Sequence, residues 1–160
     1  MENERLKKQL EFCREIDKEK FIGRQTYKSD AQTKENDAEH AWHMAVMTVL
    51  LSEYANEKID VLKTVTMLLI HDIVEIDAGD TYAYDEEGKK TQREREVKAA
   101  DRIFGILPDD QRDNFRNLWE EFEKGETPEA KFAHTMDNFQ PAMLNDLTCL
   151  LYTSDAADDT

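Results

Sequence analysis

Residues 64–80 read TVTMLLIHDIVEIDAGD, an apolar run that closes on His71–Asp72. No other feature constrains the fold of this chain as much. An apolar segment of that length has to be buried, and here an imidazole and a carboxylate go into the interior with it. Either group left there without a partner costs several kcal/mol, so other elements must bring polar partners to meet them. A divalent metal is one such partner, because neutral imidazole and carboxylate are common ligands for one.

Five glycines and three prolines in 160 residues favour long helices over a turn-rich sheet protein. Apolar spacing and capping signals place six helices. The first, residues 4–20, carries Leu6, Leu10, Cys13 and Ile16 at near-helical intervals. A polar linker, residues 23–35, follows. Asn36 with Glu39 three positions on forms a capping box for a second helix through Ala55. Asp60 caps the third, which carries His71–Asp72 and stops near Ala78–Gly79. After a loop over residues 80–90, Thr91 and Glu94 form a second capping box, for a helix to about Ile106. A fifth helix, residues 110–124, places Phe115, Leu118, Trp119 and Phe122 on one stripe suited to a core or a subunit interface. Thr127 and Pro128 open the sixth, over residues 129–147, with Pro141 inside it as a kink. No segment reads as a strand. The expectation is a single all-α domain, a helical bundle long enough to bury about two thirds of its unfolded surface.

The net charge of −15 leaves no basic face for a nucleic acid polymer. It leaves a small phosphorylated substrate open, since a bound metal and a few basic side chains make one locally positive pocket. No apolar stretch reaches the roughly 18 residues that a membrane span needs, and the start MENERLKKQLEF is not a signal peptide. Cys13 and Cys149 form no disulfide framework, so a cytoplasmic location is expected. The last twelve residues, CLLYTSDAADDT, contain no Lys, Arg or Glu, unlike the chain before them. They resemble the translated read-through of a sequencing-library adapter. Residues 149–160 are therefore read as a non-native tail, and residues 1–148 as a domain cut short at its C-terminal side.

Around the central pair the chain is dense in ligand-type side chains. Glu75 lies one helical turn beyond His71–Asp72, and Asp77 and Asp80 follow. Four carboxylates around one imidazole repel each other unless a cation is present. EHAWH sets His40 and His43 three residues apart, with His43 expected beside the site and His40 in it. TMDNFQP sets Asp137 among Phe132, Met136 and Phe139. His40, His71, Asp72 and Asp137 thus make a four-ligand site from three helices. Two nitrogens, two carboxylates and open positions suit one divalent ion, Mn²⁺, Co²⁺, Fe²⁺ or Zn²⁺. The run Lys89, Lys90, Arg93 and Arg95 reads as a solvated helix start rather than a phosphate cradle.

The order H…HD…D, with ENDAEHAWH ahead of the second helix and HDIVEIDAGD closing the third, resembles the HD-domain phosphohydrolases, and within them the 5′-deoxynucleotidase-like branch. The similarity runs from about Leu10 to Asp146. It implies an all-helical HD-domain bundle with one divalent metal held by His40, His71, Asp72 and Asp137. It also implies that Glu75 and Asp80 position or deprotonate the attacking water, and that Arg24 contacts substrate phosphate. Such domains often form homodimers. The implied activity is release of phosphate from (deoxy)nucleoside 5′-monophosphates. Hydrolysis of another phosphate ester or of a nucleoside triphosphate remains an alternative, as does a metal-binding helical module without turnover. The chemistry fits the residues independently: metal-assisted phosphoryl transfer needs charge neutralisation and a base beside the water.

Overall fold

The structure, a computed structural model, describes residues 2–79 and 86–158, with side chains described over residues 3–79 and 91–148. It is the expected helical fold, with one small sheet. The first helix, α1 (Glu2–Glu15), tightens into a 3₁₀ segment at Ile16–Phe21. The stretch expected as a linker then folds into an antiparallel hairpin, β1 (Gly23–Tyr27) and β2 (Lys34–Asn36), in register Gly23↔Asn36 and Tyr27↔Lys34. Its tip is built by Asp30, whose carboxylate accepts from the backbone N–H of Gln32 at 3.0 Å and of Thr33 at 2.8 Å. The strands GRQTY and KEN contain no alternating large apolar residues, so the period-two signal that would reveal them is missing.

Helix α2 (Asp37–Leu51) begins at the expected capping box: Asn36 Oδ1 accepts from Glu39 N at 3.0 Å, and Glu39 Oε2 accepts from Asn36 N at 3.1 Å. Asp60 caps α3 (Val61–Ile70) through a 3.0 Å bond from Lys63 N. The third helix is not continuous to Gly79. It tightens to 3₁₀ geometry over His71–Val74, resumes as the single turn α4 (Glu75–Ala78), and stops at Gly79, whose φ of 72° glycine adopts without a Cβ penalty.

Helix α5 (Glu86–Phe104) starts five residues before Thr91, so Thr91 lies inside it and is no cap; EEGKK is rich enough in good helix formers to extend the helix upstream. Helix α6 (Asp109–Lys124) ends at Gly125 in the left-handed region, φ 62°. Helix α7 (Pro128–Asp158) opens on Thr127, whose Oγ1 accepts from Ala130 N at 3.2 Å, and its backbone runs past Leu147 with Pro141 inside.

Two apolar clusters hold these elements. One gathers Phe12, Ile73, Val74, Ala100, Ile103, Phe104 and Trp119; the other gathers Met44, Met67, Leu68, Phe122, Phe132 and Met136. Trp119 and Phe122 of the aromatic stripe are thus core. Trp42, by contrast, is 65% exposed. The segment from Val61 to Val74 contributes to both clusters, and His71–Asp72 sits where they meet. Among the described residues no helix is long and apolar enough to cross a membrane.

Candidate metal centre

His40 lies in the first turn of α2, His71 and Asp72 in the 3₁₀ segment after α3, and Asp137 on α7. One potential ligand atom from each of His40, His71 and Asp72 falls within 4.8 Å of the others. Asp137 joins them: its Oδ1 is 3.0 Å from His40 Nε2 and 3.8 Å from His71 Nε2, while Asp72 Oδ1 is 3.1 Å from His71 Nε2. Ligands about 2.1 Å from one ion and at right angles to each other stand about 3 Å apart, so the spacing fits a shared cation.

The ring orientations fit as well. His71 Nδ1–H donates to the Leu68 carbonyl at 2.8 Å, and His40 Nδ1 is 2.8 Å from Gln140 Oε1. Both Nε2 atoms therefore face the carboxylates. His71 Nε2 is buried with no hydrogen-bond partner, an orphan that a metal would satisfy. Burial on its own would depress both imidazoles. Asp72 and Asp137 reverse this for His71, which is held well above its ordinary value, and Asp137 and Glu35 raise His40. Burial likewise pushes Asp137 up, but the two imidazoles override it and hold the carboxyl far below its usual range. The carboxylates thus favour positive charge at this point, the charge that a cation would supply.

Arg24, on β1, enters the same centre. Its Nη1 is 2.9 Å from Asp72 Oδ2 and 3.2 Å from Asp37 Oδ1. Glu75 begins α4 on that side, close enough to Arg24 to raise it and within hydrogen-bonding reach of Asp37. Asp37 is fully buried, and burial followed by the Asp72 charge pushes it up to about 6. The structure therefore brings together His40, His71, Asp72, Asp137, Arg24 and Glu75. Asp80 lies outside the described residues. Asp77 is turned away to Arg102, Nη2–Oδ1 2.8 Å; Arg93 pairs with Glu123 at 2.9 Å and Arg95 donates to the Ala78 carbonyl. His134 stacks on Phe122 with ring centroids 4.1 Å apart.

Three residues of the centre escape a reading of the sequence: Glu35, Asp37 and Gln140, respectively 3%, 0% and 0% exposed. A faint signal exists for two. Asp37 stands three residues before His40 and Gln140 three after Asp137, so each shares a helix face with an expected ligand.

Comparison with known proteins gives the family. The HD domain family profile matches residues 16–155, and the chain belongs to that family. A crystal structure of a predicted metal-dependent phosphohydrolase from Magnetospirillum magnetotacticum MS-1 is 50% identical, with a TM-score of 0.87, covering 92% of this chain and 74% of its own. A human 5′-deoxynucleotidase is 30% identical over 129 residues, covering 80% of this chain and 62% of its own. One from Danio rerio is 32% identical over 106 residues, covering 66% and 52%. The chain thus spans between half and two thirds of the length of these two curated relatives.

Proposed function

We propose that this domain is a metal-dependent phosphohydrolase that releases phosphate from nucleoside 5′-monophosphates, deoxynucleotides in particular. The observation that carries the reading is that ligand atoms of His40, His71 and Asp72 cluster within 4.8 Å and that Asp137 Oδ1, from a third helix, lies 3.0 and 3.8 Å from the two Nε2 atoms. The family match, the phosphohydrolase at 50% identity and the relatives named 5′-deoxynucleotidases support the reaction class and the substrate class.

His40, His71, Asp72 and Asp137 would hold the metal. When bound, it supplies Lewis-acid polarisation of a phosphoryl oxygen and brings the pKa of its water toward about 7. Glu75 acts as the base for the attacking water, and Asp80 helps orient that water or protonates the leaving alkoxide. Arg24, held by Asp72 and Asp37, neutralises phosphate charge, which is most of what phosphoryl transfer asks of a protein. Phosphate release across the deoxy- and ribonucleoside 5′-monophosphates, each with Mn²⁺, Co²⁺, Fe²⁺ and Zn²⁺, tests the proposal. Release from deoxynucleotides with at least one ion is expected; no release with any ion would overturn it.

A further inference from the structure

Gln140 is fully buried on α7, and its side-chain amide is shared among three neighbours. Oε1 lies 2.8 Å from His40 Nδ1, and Nε2 lies 2.6 Å from Glu35 Oε1 and 3.1 Å from His43 Nδ1. A primary amide has an acceptor oxygen and two N–H donors, and these contacts use all of them. Its orientation is not free. Glu35 Oε1 accepts from Nε2 at 2.6 Å, so a reversed amide would set oxygen against oxygen there and leave buried groups unpaired. Glu35 keeps Nε2 on its own side and Oε1 on the side of His40. The second N–H then falls on His43 Nδ1, which must accept it. An amide oxygen beside His40 can only take a proton from Nδ1, so the neutral ring leaves Nε2 bare.

We propose that Gln140 is a positioning residue: anchored by Glu35 and His43, it holds His40 with an unprotonated Nε2 aimed at the metal position. Without Gln140 the only other acceptor facing Nδ1 among the described residues is Glu35 Oε2 at 3.6 Å, too far for a hydrogen bond. Asp137 Oδ1 lies 3.0 Å from Nε2 and accepts an Nε2–H, so the choice of tautomer is open. Hydrogen-bond partners of this kind set which ring nitrogen is free to ligate, and removing one weakens metal binding roughly ten- to a hundredfold. The inference rests on the reading of His40 as a ligand.

The test combines calorimetric titration of Mn²⁺ and Zn²⁺ with long-range ¹H–¹⁵N spectra of His40 in metal-free protein, at a pH where the ring is neutral. Wild-type protein, Gln140→Met and Glu35→Gln are compared. Wild-type His40 is expected to carry its proton on Nδ1. Gln140→Met, similar in length but without the bonds, should mix the tautomers and lose about ten- to a hundredfold in affinity. Glu35→Gln, which lets the amide turn either way, should mix them too. A wild-type ring protonated at Nε2 would refute the role, and this measurement stands even where Gln140→Met fails to fold. Wild-type affinity and an unmixed ring in both variants would refute it alone. A wild-type protein that binds neither ion would sink the metal reading itself.

Discussion

Glu19 offers a direct test of how this interior treats charge. It sits in the 3₁₀ segment after α1, 7% exposed, with Oε1 lacking any hydrogen-bond partner. It also borders a cavity of about 560 Å³ whose walls include Phe12, Ile70 and Ile73. Burial, then the charges of Asp72 and Asp37, raise its pKa from 4.5 to about 7. The unfolded chain ionises Glu19 from about pH 4.5, while the folded chain holds it protonated until about pH 7. Folded stability therefore falls by about 1.4 kcal/mol per pH unit across that window and levels off above it, a total of about 3 kcal/mol. Glu19→Gln keeps the shape and removes the titration. In urea unfolding with chelator present, the variant should differ from wild type by less than about 0.5 kcal/mol at pH 4.5 and exceed it by about 3 kcal/mol at pH 8. For a chain of this size the gain at pH 8 corresponds to a Tm higher by roughly 6–12 °C. An offset that does not change with pH, or a variant weaker at pH 8, would refute the account of Glu19 as a desolvated acid.

His71→Ala or Asp72→Ala should abolish divalent-metal uptake in calorimetry, whereas Glu75→Ala should keep uptake and lose turnover; full activity in Glu75→Ala would remove its role as base. A divalent ion at a hundred times its Kd should stabilise the domain by about 2.7 kcal/mol, seen as a Tm rise of roughly 5–10 °C that chelator reverses; an unchanged Tm would count against the centre. The raised pKa values of His40 and His71 give metal-free protein a stabilisation that is full below about pH 6.5 and lost as pH climbs through the folded values. Metal-loaded protein should lack this decline, because bound ligands carry no proton to lose, and parallel pH profiles would contradict the assignment. Asn36→Ala removes the capping box of α2 and should lower unfolding stability by about 1 kcal/mol in urea; no loss would mean that packing alone sets that helix start.

The convergence of His40, His71, Asp72 and Asp137 was legible because helical periodicity and order along the chain carry it: EH at the start of one helix, HD at the end of another, and an acid alone on a third. The capping residues Asn36, Asp60 and Thr127 were legible for the same local reason. What stayed hidden depends on distant partners. Gln140 meets His40 across 100 positions and Glu35 across 105, and no local pattern encodes such a pair. The hairpin was hidden because its strands bury no large apolar side chain, only polar ones such as Glu35, and the early start of α5 because charged helix formers look the same in a loop. The tightening at His71–Val74 leaves no mark in a sequence that reads as one helix through Ala78.

The two imidazoles are secured by different means, and this has an evolutionary consequence. The ring at position 71 is tethered to a main-chain oxygen, at Leu68, which any amino acid there would supply. The ring at position 40 depends on a replaceable side chain, at Gln140. Genetic drift can therefore loosen one arm of the pocket through a single codon change, while the other arm yields only when the backbone itself is rebuilt.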